Sequence, residues 1–356
     1  MTNKALTHNG TQSLKTLFNG EAHDPSEVEI KFLVPRRPDN TPDKSVFDRI
    51  HKNFAALDWI KTTNRKTLYT RQLDTHDMAL LAQGTTVRVR GESRTNSFSD
   101  VATPDVCVKF GKSQDDSGAL RRSEFEARIA DFKRVDFHPL FKKYPKDEFP
   151  ELHVALDGAK ENDLREFFRI ECIRTRYLVE FPEDVTGIKG KRFVGELLLD
   201  DVAYVLDVPG LPYPLIFNHD LEVEMETMFK PCDYDTNPEA VKYVSSPMTA
   251  AESQAAMLAA SKQIQAAAGG VLMANTVSKA ERGFDKLPHA LACLQNFISK
   301  NPATPHKRSI TSAFVAADVA ANDDKKPHDR LDTDFSYVIR DRTVAEPTPA
   351  PVPVPA

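Results

Sequence analysis

The chain has 356 residues, about two domains' worth on the usual length prior. Its 47 Lys and Arg against 52 Asp and Glu give a net charge of −5, which argues against a protein that coats polyanions through overall positive charge; any phosphate chemistry has to sit in a local basic pocket. No run of about 18 apolar residues is present, the leading MTNKALTHNGTQSL lacks the charged and apolar regions of an export signal, and Cys107, Cys172, Cys232 and Cys293 form no Cys-x-x-Cys pair, so the reading is a cytoplasmic protein with reduced thiols, no membrane partner and no general nucleic-acid binding.

Residues 1–26 are polar and broken by Gly, Asn, Thr and Ser, and read as a mobile leader. From Glu27 to about Glu226, short alternating segments recur between turn-rich stretches, which is the signature of antiparallel β structure. They are EVEIKFLV (27–34), TTVRVRGE (85–92), DVCVKFGK (105–112), RRSEFEARI (121–129), IRTRYLVEF (173–181), GELLLDDVAYVLDV (195–208) and LEVEMET (221–227). Two stretches, DFKRVDFHPLFKKY (131–144) and AKENDLREFFRIE (159–171), read as helices that flank the sheet. After Met228, Thr249 and Glu252 form a capping box ahead of SQAAMLAASKQIQAAA, a helix ended by Gly269 and Gly270. HALACLQNFISK (289–300) reads as a second helix with Pro288 in its first turn. Residues 301–356, ending in EPTPAPVPVPA, are too poor in apolar groups to bury a core and read as a disordered, Pro-rich tail. The expected domains are therefore a leader (1–26), a β domain (27–228), an Ala-rich helical extension (229–300) and the tail (301–356).

Residues i and i+2 of a strand share a face, so each alternating segment carries one apolar and one ionised face. Glu27, Glu29 and Lys31 oppose Val28, Ile30 and Phe32; Arg88 and Arg90 oppose Val87 and Val89; Glu222, Glu224 and Glu226 oppose Leu221, Val223 and Met225. A single strand of this kind is half-buried with its charges in water. Here the ionised faces are nearly pure Glu, Asp, Arg and Lys, and acids stand at neighbouring same-face positions, where they repel unless neutralised. A sheet closed with these faces inward would form a charged tunnel. Its carboxylates suit a hard divalent cation and its Arg and Lys suit phosphate oxygens, which fits a metal-bound chain of phosphates.

The motif order resembles a known family. Glu27-x-Glu29-x-Lys31 is similar to the ExExK signature of the CYTH superfamily, the triphosphate tunnel metalloenzymes, and LDTHDMALLAQGTTVRVR (73–90) is similar to that family's "YFDTPDLxLxxxGxxLRxR", with Asp74, Gly84, Arg88 and Arg90 at matching places. VCVKF with Lys109, RSEFE (122–126), RTR (174–176), ELLLD (196–200) and LEVEME (221–226) follow in the family's order. Gln72, Leu73 and His76 depart from its Tyr, Phe and Pro.

This resemblance implies an α+β, mainly β, fold: a closed eight-stranded antiparallel barrel with flanking helices, carrying a C-terminal helical and disordered extension. It implies Glu27, Glu29 and Lys31 as catalytic residues. Lys31, Arg88, Arg90, Lys109, Arg122, Arg174 and Arg176 would hold phosphate, and Glu27, Glu29, Glu124, Glu126, Asp200, Glu222 and Glu224 would hold Mg²⁺ or Mn²⁺. The implied activity is metal-dependent hydrolysis of a small-molecule triphosphate with release of orthophosphate. A class IV adenylyl cyclase and a non-catalytic polyphosphate-binding module stay open beside it, as do a homodimer and a protein partner for the tail. A lysine among carboxylates should have a raised pKa, which favours an electrostatic role for Lys31 over that of a base.

Overall fold

The computed structural model describes residues 26–93, 101–114, 119–157, 159–208, 214–228 and 244–300; the leader and tail readings fall outside them. The described residues divide into two compact units, those within 26–205 and 218–283, and those within 206–217 and 284–300.

Eight strands, β1 (Ser26–Leu33), β2 (Ile60–Asp74), β3 (Thr86–Ser93), β4 (Val101–Gln114), β5 (Leu120–Arg128), β6 (Arg165–Phe181), β7 (Phe193–Leu206) and β8 (Leu215–Thr227), run in the order β5-β4-β3-β2-β6-β7-β8-β1. Pairing of β1 with β5, in which Glu27 stands opposite Arg122, closes the sheet into an antiparallel barrel, the architecture that the resemblance to the CYTH superfamily implies. The two-residue β9 (Met273–Ala274) adds to the far end of β1. No described helix is long and apolar enough to cross a membrane.

The barrel is inside out in polarity, and the helices explain why it is stable. The outer faces of β1, β6, β7 and β8 supply Ile30, Tyr177, Leu199 and Val223 to one apolar layer. Helix α1 (Lys44–Ala55) covers it with Phe47, Ile50 and Phe54, a helical spacing; Asp43 caps its start by accepting from the N–H groups of Ser45 and Val46. Helix α6 (Ala250–Ala267) lays Ala256, Met257, Ala260 and Ile264 on the same layer. The expected Thr249–Glu252 capping box is present in both directions, at 3.2 and 2.7 Å. The Ala-rich segment is thus part of the barrel's own core, and the small side chains let its backbone approach the sheet. A second layer joins Val87, Val106, Val108 and Phe125 on β3, β4 and β5 to Phe137, Leu140 and Leu152 around the short helices α3 (His138–Lys143) and α4 (Pro150–Ala155). Two further short helices, α2 (Ala79–Ala82) and α5 (Glu183–Thr186), sit at strand connections. Asp74, matched to the family motif, accepts from the N–H groups of Thr75, Leu80 and Leu81 and so orders the turn into α2. Gly84 leaves that helix at φ +74°, a conformation glycine adopts without strain.

Three expectations are corrected. AKENDLREFFRIE (159–171) is not a helix: after a single 3₁₀ turn at Glu161–Asp163 it becomes the first half of β6, because Phe168, Ile170 and Cys172 alternate and bury along β2. β2 itself lies outside the seven alternating segments, since the inner face of TLYTRQLD carries Leu68, Thr70 and Gln72 in place of charges. Helix α7 (Lys279–Lys300) begins ten residues before His289, with Pro288 inside it. The start is fixed by reciprocal capping, Glu281 N donating to Ser278 Oγ at 3.2 Å and Ser278 N to Glu281 Oε2 at 2.7 Å.

Gly195 of β7 lies where an added Cβ would meet the Glu226 carbonyl oxygen and Met225 Cε, each at 2.8 Å. Gly195→Val should lower stability by about 1–3 kcal/mol, measured as a lower urea midpoint at unchanged slope; an unaltered midpoint would refute this close β7–β8 packing.

Candidate active site

Closure turns the ionised strand faces onto one lumen, and cross-strand register decides who meets whom. Lys31 stands opposite Glu224 on β8; its Nζ is 2.7 Å from Glu224 Oε1 and 2.8 Å from Glu29 Oε2, and all three residues are buried. Arg174 stands opposite Asp200 on β7 and donates twice to it, Nε to Oδ1 at 2.9 Å and Nη2 to Oδ2 at 2.7 Å, while also reaching Glu224 Oε2 at 3.0 Å. Arg176 pairs with Glu196 one layer along.

The wall formed by β3, β4 and β5 is built in the same way. Lys109 and Glu124 are cross-strand partners 2.7 Å apart. Arg88 reaches Glu124 at 3.0 Å and Glu126 at 3.2 Å, and Arg90 reaches Glu126 at 3.2 Å. Arg122 joins the two walls at the closure, 2.7 Å from Glu29. Of the residues expected at the site, Glu29, Lys31, Arg88, Arg90, Lys109, Glu124, Glu126, Arg122, Arg174, Arg176, Asp200, Glu222 and Glu224 therefore gather in this connected network or its immediate extension. Glu27 is in β1 opposite Arg122, and its side chain lies outside the described residues.

Two cations that the sequence reading leaves out complete the first wall. Lys279, the first residue of α7, places Nζ 3.0 Å from Asp200, 2.7 Å from Glu222 and 2.8 Å from Glu224. Arg282, one turn on, lies 2.9 Å from both Asp220 and Glu222. Their only local signal is the Ser278-x-x-Glu281 cap, which marks a helix start and says nothing of carboxylates on strands far back in the chain. Asp105 and Cys107 are also missed, although they share the inner face of β4 with Lys109 and the same alternation would have found them. His76 is exposed in the turn before α2.

Burial opposes every charge here, so the direction of each pKa shows whether burial or the neighbouring charges prevail. For Glu224, burial raises it, but Lys279, Lys31 and Arg174 outweigh this and hold it well below the usual carboxylate range. Burial likewise acts against Asp200, and Arg174 and Lys279 still leave it lowered. Burial pulls Lys31 down, yet Glu224 and Glu29 leave it raised, so the lysine stays an ammonium. On the other wall, burial works against Glu126, but Arg90 and Arg88 bring it to about 2. Asp105 goes the other way: burial, only partly countered by Arg90, pushes it up to about 6.

Two groups of carboxylates have the geometry for a hard cation. Asp200, Glu222 and Glu224 can bring one oxygen each within 4.8 Å of one another, and so can Glu29, Glu224 and Glu226. A few carboxylates with room for phosphate and water is the usual protein share of a Mg²⁺ or Mn²⁺ site, so the donor set fits the group. In the first of these triads Lys279 supplies the positive charge.

No protein-family model and no curated protein matches the chain. Among solved structures it is similar to a candidate adenylyl cyclase from Hippeastrum described as having a dominant triphosphatase activity, at 14% identity over 71% of this chain and 92% of that one, with a TM-score of 0.35. It is also similar to the Mimivirus capping enzyme triphosphatase, at 13% identity over 61% and 85% with a TM-score of 0.32. The Schizosaccharomyces pombe Mediator head module matches at 10% identity over 68% and 95%, with a TM-score of 0.34. Similarities of this size carry no information on the reaction, which has to come from the side chains of the lumen.

Removing the ammonium of Lys279 takes from Asp200, Glu222 and Glu224 the one cation that all three share. Lys279→Met should cost about 3–5 kcal/mol of stability, and millimolar Mg²⁺ or Mn²⁺ should restore part of it, because a divalent ion can take the ammonium's place. Denaturation with and without the ion reads both effects; a variant that the ion leaves unaffected would refute the fit. The pH dependence has two opposed components. Glu126 contributes stability that is present above its unfolded value and lost as pH falls toward about 2. Asp105 binds its proton more tightly folded than unfolded, so its contribution is present below the ordinary aspartate value and lost as pH rises through about 6. Asp105→Asn should therefore flatten the decline in melting temperature between about pH 4 and pH 6; an unchanged profile would assign that decline elsewhere.

Proposed function

We propose that the barrel hydrolyses the terminal phosphoanhydride of a small-molecule triphosphate, with Mg²⁺ or Mn²⁺ as cofactor, and releases orthophosphate. The observation that supports this reading is that acids and cations face the same enclosed lumen: a module that only bound phosphate would need the cations alone. Arg88, Arg90 and Lys109 on one wall, Arg174 and Arg176 on the other and Arg122 at the closure between them would donate to phosphate oxygens, guanidinium groups matching them two at a time. Glu29, Glu124, Glu126, Asp200, Glu222 and Glu224, with Glu27 on the same strand face, would hold the metal. A bound divalent ion would neutralise phosphate charge and lower the pKa of a water. Lys31, kept charged by Glu224 and Glu29, would stabilise negative charge developing on the phosphate and would not act as a base. Phosphoryl transfer asks for positioning and neutralisation more than for covalent chemistry, and a rigid barrel wall of ion pairs supplies both.

A class IV adenylyl cyclase would use the same lumen, with the ribose 3′-hydroxyl attacking the α-phosphorus and pyrophosphate leaving. Purified protein with Mg²⁺ or Mn²⁺ should release orthophosphate from tripolyphosphate or a nucleoside triphosphate, with no cyclic AMP from ATP; cyclic AMP with pyrophosphate would select the cyclase. Glu29→Gln and Glu27→Gln should lower turnover by about 10²-fold or more while tripolyphosphate still binds. Binding without release of any product by the wild-type chain would instead make it a polyphosphate-binding module.

A further inference from the structure

On the β4–β5 side of the lumen Glu124 and Glu126, which the triphosphatase reading uses, stand beside two groups that it does not use, Cys107 and Asp105. Cys107 is fully buried and faces inward, opposite Glu126 in register, and its thiol donates to Glu124 Oε1 at 3.2 Å. Cys107, Glu124 and Glu126 can each bring a ligand atom within 4.8 Å of the others. A cysteine beside two acids would by itself mean little. The independent observation is Asp105, two residues before Cys107 on the same inner face: it is 6% exposed, and its Oδ1 has no hydrogen-bond partner. Its other oxygen comes no nearer to Arg90 than 4.0 Å. A buried carboxylate oxygen left without a donor costs free energy unless something positive completes it, and this one lies beside Cys107 on β4, next to the strand that carries Glu124 and Glu126.

We propose that Asp105, Cys107, Glu124 and Glu126 form a mixed sulfur and oxygen site for a borderline or soft divalent cation such as Zn²⁺ or Cd²⁺. It lies on a different wall from the Asp200, Glu222 and Glu224 triad and holds whether or not the tunnel turns over a triphosphate. The chemistry is set by the thiol. Mg²⁺ takes oxygen ligands, whereas thiolate selects softer ions. Binding exchanges one bond for another: the S–H bond of Cys107 breaks, a bond from the sulfur to the cation forms, and the proton passes to solvent. The cation then occupies the position of the proton that Cys107 now shares with Glu124. Arg88, Arg90 and Lys109 already compensate the two glutamates, so the added positive charge is met by the new thiolate and by Asp105.

The test is titration of the full, phosphine-reduced chain with Cd²⁺ at mildly alkaline pH, following the ultraviolet absorbance of a thiolate-to-cadmium bond. The wild type should show this band, saturating at a single equivalent and surviving a large excess of Mg²⁺. Cys107→Ser should abolish it and Cys172→Ser should leave it. A chain in which Cys172, Cys232 and Cys293 are all replaced by Ser, so that only Cys107 remains, should keep the full band; this arm decides the matter even if Cys107→Ser fails to fold. Asp105→Asn, with every thiol intact, should weaken Cd²⁺ binding by about tenfold or more. No band in the wild type, its loss in the Cys107-only chain, its erasure by Mg²⁺, or unchanged affinity in Asp105→Asn would overturn the proposal.

Discussion

The structure depends on mutual neutralisation of charges taken out of water. An isolated buried carboxylate or ammonium would cost several kcal/mol of desolvation. The barrel admits so many only because almost every one lies within contact distance of its opposite. Glu224 touches Lys31, Arg174 and Lys279; Glu29 touches Lys31 and Arg122. The polarity of the fold follows: with ionised faces turned inward, the apolar faces must be covered from outside, and α1, α6 and the helices between β5 and β6 do that.

The same neutralisation gives the lumen its chemical character. Ion pairs among side chains are replaceable, since a phosphate oxygen can take the place of a carboxylate before Arg88 or Arg174, and a metal ion can take the place of an ammonium before Asp200 or Glu222. A network whose partners can be exchanged without leaving any charge bare is suited to a ligand that is itself a metal-bound polyanion. The pKa directions agree, because carboxylates held low and Lys31 held high remain ionised across the neutral range and present fixed charges.

The two walls are not equivalent. The β1, β7 and β8 wall offers only carboxylates as metal ligands and is closed by Lys279 and Arg282, so the start of α7 belongs to the site as much as any strand does. The β4 and β5 wall carries a thiol, and the pKa of Asp105 there is raised to about 6, a sign that its neighbours neutralise it less completely.

The strand faces and most of the site were legible in the sequence because alternation is local: Glu29 and Lys31, Arg88 and Arg90, Glu222 and Glu224 share a face whatever the rest of the chain does. The Thr249–Glu252 cap was legible for the same reason. What local pattern could not decide was direction, partner and closure. Only the β1–β5 pairing turns those faces toward a lumen instead of solvent. Only the packing of α6 makes the Ala-rich segment core, and only the path after β9 brings Lys279 back to carboxylates on β7 and β8. β2 escaped notice because its inner face carries Thr70 and Gln72, and REFFRIE looked helical because aromatic and charged residues alternate there too closely for composition to separate the two periods. Contacts between residues far apart in sequence form through three-dimensional closure, and no window of the chain encodes them.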